Sequence, residues 1–468
     1  MKLWNFIKEE MMKNPSQTVC EGNAKMNYEE LVIFSEAFAE KLRGEKCCAV
    51  LCNSEMATAM GLLSCFAAEV TAVPVSMRYG EQHCKKIFDT ICPTAMITDM
   101  YGELAILRFD DGEYKEPDIP PALIMCTSGT TGAPKGAMLS EANIMTNVKD
   151  ICAYFDLNTA DRILIARPLY HCAVLTGEFL TSLIKGVEIR FYSEAFNPLE
   201  LLNIIAKQEI STFCGTPTLL SMLASFLRKG QASTLKNICV SGECMSAETG
   251  KKIANAFPDA NIYHVYGLTE ACPRVSYLSP KEFANKPDSV GFPLRSVSLK
   301  IITSSGDIAK ANEIGMLYVK GENIMTGYYN APEQSARVLC DGWLCTGDMA
   351  LTDSDGFLKI KGRSDNLIIR AGMNIYPQEI EEALKKDKRV REVLAYGYHD
   401  DRLGVQIGLK IVGDFENTDE VKQICKTLLP PFQIPTLIEI LNELPKNGSG
   451  KIIRPKANKA LESRKEKQ

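Results

Sequence analysis

The chain has 468 residues, 46% apolar and 24% charged, with a net charge of −5; this is the balance of a globular protein too long for one hydrophobic core, so two or more domains are expected. Its basic residues are dispersed and outnumbered by acids, 53 to 58, which argues against a nucleic-acid surface. The opening Met1–Glu10 run carries charges where a signal peptide needs an apolar core, and no later run approaches about 18 apolar residues, so no membrane insertion and a cytoplasmic location are expected.

Seventeen cysteines sit singly in apolar runs, as at Cys65, Cys126, Cys214, Cys239 and Cys340, with no repeated Cys-x-x-Cys. They read as reduced, buried, small apolar residues. The tight group Cys47, Cys48 and Cys52 lacks the second pair a zinc site needs, so no structural metal is expected.

In chain order, Ala49 to Leu51, a helix over Met56 to Ala68 and a strand over Val70 to Val75 make one strand–helix–strand unit. Ile163 to Ile165, Val187 to Phe191 and Asn237 to Val240 begin others. Strands spaced by helices predict parallel sheets covered on both faces. Around Val297 to Ile302, Gly315 to Val319 and Leu358 to Ile360 the runs shorten, predicting a mostly antiparallel β subdomain.

After Gly362-Arg363-Ser364-Asp365-Asn366 the pattern changes. A strand at Leu367 to Arg370, a helix over Pro377 to Lys386, strands over Glu392 to Tyr398 and Gln406 to Val412, and an amphipathic Thr418 to Leu429 predict a small α+β domain. The fold class is α/β: a large N-terminal domain over 1–364, with parallel α/β sheets plus a β subdomain, and a small mobile C-terminal domain over 365–468. A polar run between two apolar strands makes Asp365 the expected hinge.

Thr127-Ser128-Gly129-Thr130-Thr131-Gly132-Ala133-Pro134-Lys135 packs hydroxyls, glycines and a lysine between apolar runs. Small residues let backbone N–H groups approach an anion, hydroxyls add donors and the ammonium adds charge, so the loop suits a polyphosphate. It lacks the Gly-Lys-Ser/Thr of a Walker A loop. Downstream follow Tyr266-Gly267-Leu268-Thr269-Glu270, Thr346-Gly347-Asp348, Gly362-Arg363-Ser364-Asp365 and Pro445-Lys446-Asn447-Gly448-Ser449-Gly450-Lys451.

In that order the five motifs resemble the adenylate-forming superfamily of acyl-CoA synthetases, luciferases and nonribosomal adenylation domains, over nearly the whole chain. The pattern is most similar to carboxylic acid:CoA ligases. The resemblance implies attack of a carboxylate on the α-phosphate of ATP, giving acyl-AMP and pyrophosphate, then transfer to the pantetheine thiol of CoA. Thr127, Ser128, Gly129, Thr130, Thr131, Gly132 and Lys135 would hold the β and γ phosphates. Glu270 would ligate Mg²⁺, Thr269 would touch the α-phosphate, Tyr266 would stack on adenine, and Asp348 and Arg363 would hold the ribose. Lys451 would bridge the carboxylate and α-phosphate, and Gly372 would leave room for the pantetheine arm, although Ala371 replaces a second glycine common in relatives.

The resemblance lines the acid pocket with Tyr170, His171, Cys172, Ala173, Gly242, Glu243, Val265, Gly267 and Cys272, with His171 as a steric gate. Arg167 to Leu175 holds no acid to pair a substrate ammonium, which argues against an α-amino acid. Glu243 either faces that pocket or caps a helix over Ala247 to Phe257. The expected partner is a small-molecule carboxylic acid. The alternative is a freestanding adenylation enzyme loading the phosphopantetheine of an acyl or peptidyl carrier protein. A nucleotide-binding pseudoenzyme is disfavoured by the presence of Lys451, Glu270 and Asp348.

Overall fold

The computed structural model describes residues 2–100, 103–109, 113–127, 134–194, 196–228, 230–370, 373–400, 403–445 and 452–455. Ser128, Gly129, Thr130, Thr131, Gly132, Gly372 and Lys451 lie outside the described residues. By packing, the chain divides into two units. The first holds 1–300, 318–346 and 355–358; the second holds 301–317, 347–354 and 359–468. This division is not a single cut at residue 365.

The first unit is built on two sheets. The larger orders its nine strands Phe292–Pro293, Arg274–Leu278, Asn261–Gly267, Asn237–Val240, Thr212–Gly215, Arg162–Ile165, Glu188–Phe191, Thr18–Glu21 and Ala24–Asn27. The six from Asn261–Gly267 to Thr18–Glu21 run parallel, and antiparallel strands close both edges. The central strands are continuous apolar runs because both faces are covered: Ile163, Phe213, Cys214 and Ile238 are fully buried.

The second sheet has seven strands, with Leu123–Thr127, Thr71–Pro74, Cys47–Val50 and Ala95–Met100 parallel at its centre. The hairpin of Leu123–Thr127 with Lys135–Leu139 pairs Thr127 with Lys135. Helix starts follow local capping chemistry. Ser54 accepts from Ala57 N ahead of Glu55–Ala68, and Ser140 and Asn143 form a reciprocal capping box ahead of Glu141–Tyr154. Thr216 and Asn197 cap helices whose first residue is proline, whose φ is already helical.

A further sheet joins Val297–Ile302, Gly315–Gly321, Trp343–Thr352, Leu339–Cys340 and Leu358–Arg363; it is the expected β subdomain. In the second unit, Val390–Asp400 pairs antiparallel with Gly404–Gly413. Leu437–Ile440 adds parallel to that hairpin, a strand the sequence pattern does not announce. Helices Pro377–Leu384 and Thr418–Leu428 supply Ile380, Leu384, Val421 and Cys425 to a core with Val393, Ile407 and Ile411. Among the described residues no helix is long and apolar enough to cross a membrane.

Candidate active site

The parallel strands Arg162–Ile165, Thr212–Gly215, Asn237–Val240 and Asn261–Gly267 finish on one edge of the large sheet. Ligands of open α/β sheets bind at this carboxyl edge. Gly242 and Glu243 follow the third of these strands; Thr269, Glu270 and Cys272 follow the last.

At the hairpin of the smaller sheet, Thr127 Oγ1 donates to Lys135 O at 3.5 Å. The Lys135 ammonium lies 5.2 Å from the ring centre of Tyr328, a favourable cation–π distance. Tyr328 in turn donates its hydroxyl to Glu270 Oε1 at 2.7 Å. One buried tyrosine thus links the predicted phosphate lysine to the predicted magnesium carboxylate. Glu270 sits in the 3₁₀ turn Thr269–Ala271, and its carbonyl is held by Met325 N at 2.9 Å.

Gly267 ends its strand at a bulge, where the pairing register shifts between Tyr266 and Gly267. A Cβ there would stand 2.0 Å from Pro273 O. Only glycine permits that backbone approach, which turns the chain from Tyr266 toward Thr269 and Glu270.

Two of the predicted acid-pocket residues, Cys172 and Cys272, meet beside this turn. Cys172 and Cys272 are both buried. Thr176 Oγ1 lies 2.9 Å from Cys172 O and 3.1 Å from Cys272 O, so one hydroxyl ties the two segments. His171 precedes Cys172 with its ring 4.2 Å from that of Tyr170, and Val265 is buried on the adjoining strand. The segment before His171 is held by Glu55, whose Oε2 accepts from Leu169 N at 2.9 Å. Burial, with the nearby Glu21 charge adding to it, pushes the Glu55 carboxyl up to about 7 against the opposing Leu169 hydrogen bond and Arg78.

Glu243 does not cap the helix after it. Ser246 caps Ala247–Ala256, while Glu243 Oε2 accepts from Thr218 Oγ1 at 2.7 Å and Thr218 N at 3.3 Å, in the first turn of Pro217–Phe226. Serine at the N-cap reaches the free N–H groups directly, which leaves the glutamate to the neighbouring helix start.

Within the second unit, Asp348 is buried and Arg363 Nη1 lies 3.7 Å from its Oδ1. Arg363 Nε also reaches Asp365 Oδ1 at 3.5 Å. Gly347 has φ +75°, and a Cβ there would sit 2.9 Å from Arg363 Nη2. Farther on, Arg454 grips Glu381 with both nitrogens at 2.6 and 2.8 Å and donates to Ala395 O at 2.8 Å. Ile453 N donates to Pro445 O at 2.8 Å. The chain is therefore anchored immediately before and after residues 446–451.

The family model described as AMP-binding enzyme matches residues 7–329, and the model described as AMP-binding enzyme C-terminal domain matches 379–451. The chain belongs to the AMP-binding enzyme family. This AMP-binding enzyme is 32% identical over 419 residues to the feruloyl-CoA synthase of an Amycolatopsis species, covering 84% of each chain. It is 35% identical over 347 residues to the long-chain-fatty-acid–CoA ligase of Bacillus subtilis, covering 72% of this chain but spanning 61% of that protein's length. Its fold matches the o-succinylbenzoate CoA synthetase (MenE) of Bacillus subtilis in complex with ATP and magnesium ion, with a TM-score of 0.83, 25% identity and coverage of 97% of this chain and 99% of that one.

In this AMP-binding enzyme the first unit brings together Thr127, Lys135, Glu270 and, around Cys172, the predicted pocket segment; the second brings together Asp348, Arg363 and Asp365. Three residues lie outside the motifs: Tyr328 beneath Lys135, the Glu381 partner of Arg454, and Glu178, fully buried and ion-paired with Arg167. Each is a distant residue completing a polar group. Only Glu178 leaves a trace in sequence, as a carboxylate inside the apolar run Leu175 to Leu180.

Proposed function

We propose that this enzyme activates a carboxylic acid with ATP, forming acyl-AMP and pyrophosphate, and transfers the acyl group to the thiol of CoA. The observation that carries the reading is the Lys135–Tyr328–Glu270 chain, which sets a cation and a carboxylate on one tyrosine. The reaction joins two anions, so its barrier falls through placed charge and donors rather than through a protein nucleophile. Lys135 would meet phosphate oxygens. Tyr328 would keep the Glu270 carboxylate oriented.

Glu270 fits Mg²⁺ as a hard oxygen ligand. Among the described residues no three His, Cys, Asp or Glu side chains gather to hold a metal alone, so the ion would arrive with phosphate oxygens. Bound there, it would neutralise charge on the polyphosphate. Thr127 through Lys135 would hold the β and γ phosphates, Thr269 the α-phosphate, Tyr266 the adenine, and Asp348 with Arg363 the ribose. Lys451 would neutralise the meeting of carboxylate and α-phosphate.

For the thiol step, rotation about Asp365 would exchange Lys451 for the Gly372 face, with 1–364 and 365–468 as the moving bodies. Asp365 lies in an exposed 3₁₀ turn, Ser364–Asn366, where dihedral change disturbs little packing. The acid would be one without an α-amino group, aryl or short-to-medium-chain acyl, gated by His171 and lined by Cys172, Ala173, Gly242, Val265, Gly267 and Cys272. Glu243, engaged by Thr218, supports that exclusion of an amine. A carrier-protein phosphopantetheine is the alternative acceptor, since its reacting arm is that of CoA. The seventeen cysteines, all free, support a reducing cytoplasmic setting.

ATP–pyrophosphate exchange over aryl acids, fatty acids and amino acids tests the first half-reaction, and thioester formation with CoA or with a carrier protein tests the second. Turnover of α-amino acids with none of the plain acids would refute the substrate class.

A further inference from the structure

Arg167 stands just beyond the carboxyl end of Arg162–Ile165, on the same sheet edge as Gly242 and Glu270. Its guanidinium donates to Ser241 Oγ at 3.3 Å through both terminal nitrogens and is ion-paired through Nη2 with Glu178 Oε1. Its Nη1 lies 3.9 Å from where a Gly242 Cβ would be. Gly242 carries no side chain, so nothing of its own screens the guanidinium.

The two partners are not equally buried. The Glu178 side chain is fully enclosed, whereas Arg167 keeps 14% of its surface. Of the two side chains, only that of Arg167 meets solvent. Glu178 is carried by the π-helical stretch Leu175–Leu180, an irregularity that recurs at functional sites. The next residue back, Gly177, lets a second buried guanidinium, Arg274, pack close: a Cβ at 177 would stand 2.9 Å from its Nη2.

Charge counting decides what such a wall accepts. Arg167, Arg274 and Glu178 together carry net +1 when Glu178 is ionised, with Tyr154 and the Cys239 sulfur, which accepts from Arg274 Nη2 at 3.9 Å, beside them. Burial pushes the Glu178 carboxyl up against the pull of Arg167 and Arg274, and its protonation only adds to the positive excess. The Nε atoms of Arg167 and Arg274 and Oε2 of Glu178 are buried with no hydrogen-bond partner. A positive excess inside a protein is costly unless an anion meets it.

Resting on the acid-activating reading above, we propose that Arg167 is a specificity-determining residue that ends the acid pocket on a cation. It selects substrates bearing a second carboxylate at the end remote from the one that is adenylated. Glu178 and Ser241 act as positioning residues: they fix the guanidinium plane, and the distal carboxylate would meet the remaining N–H groups of Nη1 and Nη2.

The test is pyrophosphate exchange with isosteric pairs: glutarate against valerate, adipate against hexanoate, terephthalate against 4-methylbenzoate. A charge-assisted contact corresponds to a kcat/KM preference for the diacid of about tenfold to a hundredfold. Arg167→Met should bring the ratio to near one, chiefly through KM of the diacid, and Arg167→Lys should keep part of it. Because Arg167→Met leaves Glu178 buried without its partner, the neutral pair Arg167→Gln/Glu178→Gln serves as the second variant and should also lose the preference. Glu178→Gln alone should keep or increase it, a result a purely structural ion pair does not produce.

Preference for the plain acids, or a ratio untouched by Arg167→Met, overturns the proposal; so would a Cys239 thiolate supplying the counter-charge, since the pocket would then show no diacid preference. Calorimetric binding of the same pairs to the full chain with AMP reads the preference without turnover. Diacid binding without exchange would count against the activation reading and for the charged wall, whereas exchange of plain acids only would do the reverse.

Discussion

Arg363 Nη1 lies 3.7 Å from Asp348 Oδ1 in a pair whose arginine is 47% exposed and whose aspartate is nearly enclosed. An ion pair this open contributes little to folding, about 0–1 kcal/mol. In the proposed function the pair would hold the Asp348 carboxylate in place for the ribose.

Asp348→Asn should therefore leave the unfolding midpoint in urea almost unchanged while raising KM for ATP by about tenfold or more, the worth of a charge-assisted hydrogen bond. Parallel urea titrations and exchange kinetics check it. A large stability loss with unchanged KM would make Asp348 structural.

Lys451→Ala should remove pyrophosphate exchange, by about 10²–10³ in rate, while sparing thioester formation from synthetic acyl-AMP. The two half-reactions are assayed separately. Equal losses would mean that the lysine does not serve adenylation alone.

Asp365→Pro should fix φ near about −65° at the turn and fall mainly on the thiol step. Rapid-quench measurement of both half-reactions distinguishes this from a uniform decline, which would speak against alternation at this residue.

Glu55 offers a pH-dependent outcome. Its folded-state value, raised to about 7 by burial, lies above the ordinary carboxylate value, so its favourable contribution is complete below the ordinary value and lost as pH rises through about 7. Glu55→Gln keeps an acceptor for Leu169 N and does not titrate. Urea unfolding should show the variant about 2–3 kcal/mol more stable than the parent at pH 8 and nearly equal to it at pH 5. Equal stability at both pH values would remove Glu55 as a buried, strained carboxylate.

Much of the fold was legible because apolar runs are local: the run Met56 to Ala68 and the run Gln406 to Val412 each declare an element by neighbours alone. Leu437–Ile440 did not, since its identity as a strand depends on pairing with Gly404–Gly413. The site divides the same way. Glu270 and Asp348 are readable within short motifs, but Tyr328 reaches Glu270 across 58 positions and Arg454 reaches Glu381 across 73. Of the two roles the sequence left open for Glu243, capping its own helix falls away because the serine three residues later takes the N–H groups there.

Gly267 constrains more than local geometry. With Pro273 O where its side chain would be, and with Gly242 held at φ +95°, two of the proposed pocket's positions resist replacement whatever acid is presented. Variation in acid preference among descendants of this chain would then fall on the proposed pocket's other positions, with Arg167, His171, Cys172 and Ala173 among them. A mutational library covering Arg167 and His171 to Ala173 should recover changes in acid preference, whereas one directed at 267 should return mainly misfolded protein.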